Sequence, residues 1–218
     1  MIRRFLALIS LCLVMAVTPA FAGERVGVVD EVEGKVTATQ SGSKASRALH
    51  DGDAVMEDDL IETAKDSRVK IVFVDKTEFV LAGKGSMHVD DFDFSPRDGK
   101  QDKAKLSVLG AAFSWVSGKI GKDKEADVTV NVDFGSIGIR GTEVWRSMHK
   151  GECWIYLKSG KIDVSNAGGR VKLKPGEGTI MRAKGTKPDD PHVWSRREIN
   201  WIKGSVESPR SWKKKGWE

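Results

Sequence analysis

Cysteine is almost missing from this chain: the 218 residues hold two, Cys12 and Cys153. Cys12 lies in an N-terminal apolar stretch that reads as a cleaved leader, so Cys153 is left alone and an internal disulfide framework is excluded. Histidine is also scarce. The four, His50, His88, His149 and His192, are too scattered for a local zinc site, and Cys153 has no cysteine partner. No stretch beyond residue 22 is long and apolar enough to span a bilayer. A surplus of one charge sign is missing too. Charged residues make up 31% of the chain with both signs interspersed, which lacks the concentrated basic footprint of a nucleic-acid binder.

What is present begins with that leader. Arg3 and Arg4 open it, Phe5 to Val17 is uncharged and largely apolar, and Ala20-Phe21-Ala22 is a small-x-small cleavage signal. Against the competing reading, an uncleaved anchor, the Ala-x-Ala ending and the polar Gly23-Glu24-Arg25 that follows favour cleavage. Leu11 stands where a lipid-attachment signal before Cys12 would need a small residue. Residues 1–22 are therefore expected to be a signal peptide and the mature protein periplasmic or secreted in a Gram-negative-type envelope. Removing 22 of 218 residues leaves 196, and losing Arg3 and Arg4 lowers the formal charge from +5 to +3.

From Val26 to about Met181 the apolar residues recur every second position. Val128, Val130, Val132 and Phe134 alternate with Thr129, Asn131 and Asp133 as a half-buried strand. Val69, Ile71 and Phe73 form another, which Asp75-Lys76 turns back into Thr77 to Ala82. Leu106 to Val116 fits a short helix or a strand equally well. Cys153 shares a strand face with Ile155 and Leu157, which predicts a buried, inert thiol. A weak repeat runs through the chain: Glu33-Gly34-Lys35-Val36, Ser117-Gly118-Lys119-Ile120 and Ser159-Gly160-Lys161-Ile162 share one form. Leu49-x-x-Gly52-Asp53 and Leu173-x-x-Gly176-Glu177 follow the first and third. Repeated strand-turn-strand units predict an all-β domain over residues 23–184, either a β-solenoid or a sandwich of short strands. Ser95 to Lys105 reads as an exposed loop. Residues 185–218 read as a linker around Pro188-Asp189-Asp190-Pro191 and a basic, Trp-rich tail, with a short helix across Arg196 to Lys203.

The run Gly135 to Trp145, GSIGIRGTEVW, looks at first like a phosphate-cradling loop. A Walker loop needs Lys and Ser or Thr after its last glycine, yet Gly141 is followed by Thr142 and Glu143. A dinucleotide fingerprint needs a following helix, and the next segment is strand-like. No Gly-x-Ser-x-Gly elbow or Cys-His signature is present. The acidic cluster Asp51, Asp53, Glu57, Asp58 and Asp59 lacks the ligand order of an EF-hand. The chain is thus expected to have no catalytic residues, no cofactor and no metal. In the tail, Trp201, Trp212 and Trp217 with Lys213, Lys214 and Lys215 form a candidate partner surface, suited to an anionic face. The plainer expectation is that Trp194 and Trp201 cap the β-core.

Val128 to Trp145, VTVNVDFGSIGIRGTEVW, closely resembles the signature of the FecR domain, with Gly138, Ile139, Arg140, Gly141, Thr142 and Glu143 at the matching positions. Gly34-Lys35-Val36, Leu49-x-x-Gly52-Asp53, Ser67 to Leu81, Ser159 to Val164 and Leu173-x-x-Gly176-Glu177 fit the family's remaining segments in order, so the resemblance covers about Val26 to Met181. It implies an all-β periplasmic domain without catalytic activity. In well-known members that domain receives a signal from an outer-membrane transporter and passes it through a membrane helix to a segment controlling a sigma factor. The leader read here predicts instead a secreted, stand-alone form. Within such a domain Gly138, Arg140, Gly141 and Thr142 are expected to be structural, with the Arg140 fork and the Thr142 hydroxyl bonding free carbonyls at a turn. The function expected is a non-enzymatic binding or sensing module with an envelope protein as partner. The alternative is a peptidoglycan- or carbohydrate-associated protein using exposed tryptophans.

Overall fold

The computed structural model describes residues 23–95, 101–123 and 125–207; the expected signal peptide lies outside them. The described strands are β1 (Arg25–Glu33), β2 (Val36–Gln40), β3 (Ser46–Ala48), β4 (Ala54–Met56), β5 (Asp59–Thr63), β6 (Arg68–Phe73), β7 (Glu78–Leu81), β8 (Gly85–Asp93), β9 (Lys103–Leu109), β10 (Phe113–Val116), β11 (Asp127–Val132), β12 (Gly135–His149), β13 (Glu152–Asn166), β14 (Gly169–Leu173), β15 (Glu177–Met181) and β16 (His192–Val193). A 3-10 turn at Ile120–Lys122 precedes β11, and one helix, α1 (Arg196–Val206), closes the described chain. The segment left open between helix and strand, Leu106 to Val116, is strand on both sides of a Gly110 turn with φ of 74°.

All sixteen described strands belong to one sheet. It curls because its two longest strands change neighbours midway. The first part of β12 pairs with β11 and its second part with β10, while β13 follows it on the other side from Ser165 to Glu152. The register slips between Arg140 and Val144, a double bulge of the kind that bends a strand. Two half-sheets result, β3-β2-β5-β8-β9-β11 and β4-β1-β6-β7-β10, each running into β12 and β13. They face each other across one core, where Phe73 of one half stacks on Phe92 of the other at 4.6 Å. Trp115, Phe79, Phe113, Ile61 and Leu106 are fully enclosed there. The expected all-β class is therefore realised as one curled sheet, a half-barrel whose halves are continuous through β12 and β13.

The weak repeat has a physical basis at two of its three sites. Gly52 and Gly176 both adopt positive φ (88° and 87°). Both turns are closed by the same pair of bonds. The His50 N–H donates to the Asp53 carboxylate at 2.7 Å and the Lys174 N–H to that of Glu177 at 2.8 Å; the Asp53 and Glu177 N–H groups return the bond at 3.1 and 3.0 Å. Gly34 and Gly160 are also positive, at 78° and 88°. The middle copy differs. Ser117 to Ile120 leads into the 3-10 turn because buried Asp75 and Thr77 take its N–H groups, Gly118 to Thr77 Oγ1 at 2.9 Å and Ile120 to Asp75 Oδ2 at 3.2 Å.

Two cationic side chains are buried among the described residues, Lys70 and Arg146. Arg146 of β12 is fully buried, donating to the Asp133 carboxylate and the Ala111 carbonyl, with its Nε 3.2 Å from Cys153 Sγ. Burial pushes the Cys153 thiol above its ordinary range, although the Arg146 charge pulls the other way. A native-state thiol reagent should therefore label Cys153 only after unfolding, and reductant should leave the melting temperature unchanged. Rapid labelling of the folded protein, or a large loss of Tm on adding reductant, would contradict this.

Residues 185–207, expected as linker and tail, are tied to the domain. Asp189 donates to the Ile180 carbonyl at 3.0 Å, β16 pairs with β15, and Ile202 and Val206 of α1 are buried.

Candidate functional site: the bent motif strand and the faces around it

The segment Gly135 to Trp145 forms most of β12 from its first residue and contains the bend of the sheet. Gly141 has φ of 58°, and a Cβ on it would stand 2.9 Å from the Gly121 carbonyl oxygen. Opposite it, a Cβ on Gly160 would overlap the Gly141 carbonyl. Two backbones thus touch where the strands fold over, an approach only glycine permits. Gly138 is different: a Cβ there would make only ordinary contact, 3.8 Å from Asp163.

Thr142 is buried, and its backbone closes the bend. Its N–H donates to Ser117 Oγ at 3.0 Å and its carbonyl accepts the Ser117 N–H at 2.9 Å. Its own hydroxyl has no hydrogen-bond partner among the described residues, contrary to the role expected for it. Arg140 also departs from expectation. It is exposed and makes no hydrogen bond or ion pair among the described residues, because alternation along β12 turns Ile139 into the core and Arg140 out to solvent. Its cross-strand neighbour is Lys161. In β14, Val171 and Leu173 point inward, so Arg170 and Lys172 share the outer face with Lys161, and Lys174 follows at the next outward position.

On the outer face of the other half-sheet, the end of the motif belongs to an aromatic cluster. Trp145 and Tyr156 lie 5.6 Å apart, Tyr156 stacks with Trp194 at 5.5 Å, and Trp154 meets Trp194 and Trp201 edge to face at 5.4 and 5.3 Å. Trp201, a candidate partner residue, is thereby half-buried against Trp154 and His149. Trp212, Trp217, Lys213, Lys214 and Lys215 lie outside the described residues.

Helix α1 lies over this cluster, held at both ends. At its start Ser195 and Glu198 form a reciprocal capping box. At its end Arg68 donates to the Val206 carbonyl at 2.7 Å and the Ser205 carbonyl at 3.4 Å, satisfying groups a helix leaves open. Between α1 and the sheet runs a groove of about 430 Å³ with Val80, Val116, Trp145 and Ile199 among its walls. Lys70 lies at its edge. Burial lowers its pKa, but the bonds and charges of Glu78 at 3.0 Å and Asp30 at 3.2 Å outweigh that and hold it above the ordinary lysine range.

Hydrogen bonds from the Ser195 side chain and backbone hold the Glu198 carboxyl below the ordinary glutamate range. A depressed carboxyl stabilises above its unfolded pKa, and that stabilisation fades as pH falls through the folded value. Acidification below the ordinary carboxylate range should therefore loosen the start of α1 and change the fluorescence of Trp194 and Trp201. Glu198→Gln should already be loosened at neutral pH and lose that part of the pH response. An unchanged acid transition in the variant would contradict the assignment.

A sequence model of the family described as "FecR protein" matches residues 59–172, just over half of the 218-residue chain. The chain belongs to the FecR family. The match runs from the start of β5 to Lys172 in β14, narrower than the Val26 to Met181 expected from the motifs, and contains both long strands and the bend. Comparison with curated proteins finds no match. Two crystal structures of a protein provisionally assigned as an anti-sigma factor from Parabacteroides distasonis share the fold, with TM-scores of 0.53 and 0.52 and 14% identity in each case. Each alignment covers 66% of this chain, and 64% and 65% of theirs, so the chain spans just under two thirds of the length of the proteins it matches.

Within this FecR-family fold, one cluster superficially resembles a hydrolase triad. His88 Nδ1 lies 2.7 Å from Asp90 Oδ1, and Ser107 Oγ donates to Asp90 Oδ2 at 2.7 Å. The order is wrong for nucleophile activation, because the serine hydroxyl is bonded to the carboxylate and not to the imidazole. Among the described residues, no three His, Cys, Asp or Glu side chains converge as metal ligands, and no helix is long and apolar enough to cross a membrane.

Proposed function

We propose that this FecR-family protein is a non-enzymatic binding module of the cell envelope, acting in the periplasm by recognising a protein partner in signalling. One observation carries the reading. Gly141 and Thr142 of the family motif build the bend, while its one cationic side chain, Arg140, is exposed and has no partner among the described residues. Family membership, the leader-like first 22 residues and the fold shared with a protein assigned as an anti-sigma factor support it. The glycan alternative gains no support from the described tryptophans, whose rings pack against each other and the helix and form no open stacking platform.

The test is fractionation of cells expressing the full chain, with N-terminal sequencing and chemical cross-linking of the periplasmic pool. The expected result is a mature protein starting at Gly23 that forms an adduct with a defined envelope protein. Retention in the cytoplasm, or turnover of a small substrate by the purified mature protein, would overturn the reading.

A further inference from the structure

The outer face around the end of the motif strand carries like charges placed directly opposite one another. Arg140 of β12 is the cross-strand partner of Lys161 of β13, and Lys161 precedes the Ile162–Leu173 pair, which brings Lys174 beside it. In the next row Gly138, Asp163 and Lys172 are aligned; in the one after, Ser136, Ser165 and Arg170. Arg140, Lys161, Arg170, Lys172 and Lys174 are all exposed, and none makes a side-chain hydrogen bond or ion pair among the described residues. The nearby acids do not neutralise them. Asp163 stands opposite Lys172 without forming an ion pair, and the Glu177 carboxylate accepts the Lys174 backbone N–H. Like charges directly opposite one another on a sheet are unfavourable, and nothing described in the fold relieves them.

The same place is an open sheet edge. Among the described strands, β14 pairs with β13 alone. The segment Ala183 to Lys187 crosses the hairpin tip, where Asn166 Nδ2 donates to the Ala183 and Thr186 carbonyls, but among the described residues Arg170 to Leu173 make no backbone hydrogen bond beyond those to β13. The other outermost strands are shorter: three residues each in β3 and β4, and two in β16. Arg47 further occupies the β4 edge through the Ala54 carbonyl at 3.0 Å.

We propose that β14 is a docking edge for an acidic, extended segment of the partner protein, which adds to the sheet as a further strand. This rests on the protein-binding reading above and specifies its surface and partner chemistry. A strand laid along β14 would satisfy the open backbone groups, and carboxylates at alternate positions would stand beside Arg170, Lys172 and Lys174. The cationic row also opposes pairing of two copies through this edge, since each would present the same charge.

The test uses the mature chain and a synthetic ten-residue peptide alternating Glu with Val or Thr, with a Lys-for-Glu peptide as control. Binding is followed by fluorescence anisotropy and by hydrogen exchange of the residue 170–174 amides. The acidic peptide should bind, weaken as salt is raised, and protect those amides. The combined variant Lys161→Gln, Lys172→Gln, Lys174→Gln, with a Tm equal to or above that of the parent, should bind about tenfold more weakly, roughly twofold per exposed cation. Equal binding by the variant, binding of the control peptide, or no binding would overturn the proposal. So would binding without protection of the β14 amides, the pattern expected if heparin or anionic vesicles were the better ligand. Should the peptide fail while cross-linking still recovers an envelope protein elsewhere on the surface, the docking edge falls and the protein-binding reading stands.

Discussion

Arg146→Ala should cost this protein about 3–5 kcal/mol of stability, measured by urea unfolding at neutral pH. The side chain is fully buried, and its removal strips the Ala111 carbonyl of a donor and leaves Asp133 without its counter-charge. The space vacated beside Cys153 adds a cavity cost. Arg146→Met with Asp133→Asn should recover part of the loss, since it removes both charges and nearly conserves volume. A single-variant loss below about 1 kcal/mol would mean that the Arg146–Asp133 pair does not hold β12 against the loop carrying Asp133.

Gly160→Ala should be comparably damaging, at about 3–5 kcal/mol, because the new methyl group would overlap the Gly141 carbonyl in a backbone already at positive φ. Gly52→Ala separates the two causes. Gly52 shares the φ of 88°, but nothing lies within 4 Å of where its Cβ would be, so only the conformational cost of about 1 kcal/mol should appear. Similar losses at the two positions in thermal melts would show that the strands do not touch at the bend.

Strand content was legible in the sequence wherever one face meets the core and the other meets water. The Val128 to Phe134 alternation and the hairpin around Asp75-Lys76 are of this kind. Alternation disappears where both faces are covered. Val144, Trp145, Arg146 and Ser147 are consecutive and all buried, since α1 and the aromatic cluster cover the side that would otherwise be wet. Arg146 therefore carried no signal as a core residue, its partner Asp133 being thirteen positions away. In Leu106 to Val116 the outward Leu109, 52% exposed, masks the period set by Leu106 and Val108. The motif named the family, but local spacing assigned Arg140 a task at a turn. Its actual surroundings depend on the β12–β13–β14 register, which joins residues more than twenty positions apart. The capping box of α1 was readable as Ser195-x-x-Glu198; its C-terminal anchor Arg68, 138 positions from Val206, was not.

The exposed face of the motif strand should meet a protein in the envelope. A photo-crosslinking amino acid placed in turn at Arg140, Lys172 and Asn200, activated in living cells, tests this directly. Adducts of one envelope protein from positions 140 and 172, mapped by mass spectrometry to an acidic segment of that protein, with little from position 200 beside the helix groove, are the predicted result. A correctly exported protein that forms no protein adduct from any of the three positions would contradict it.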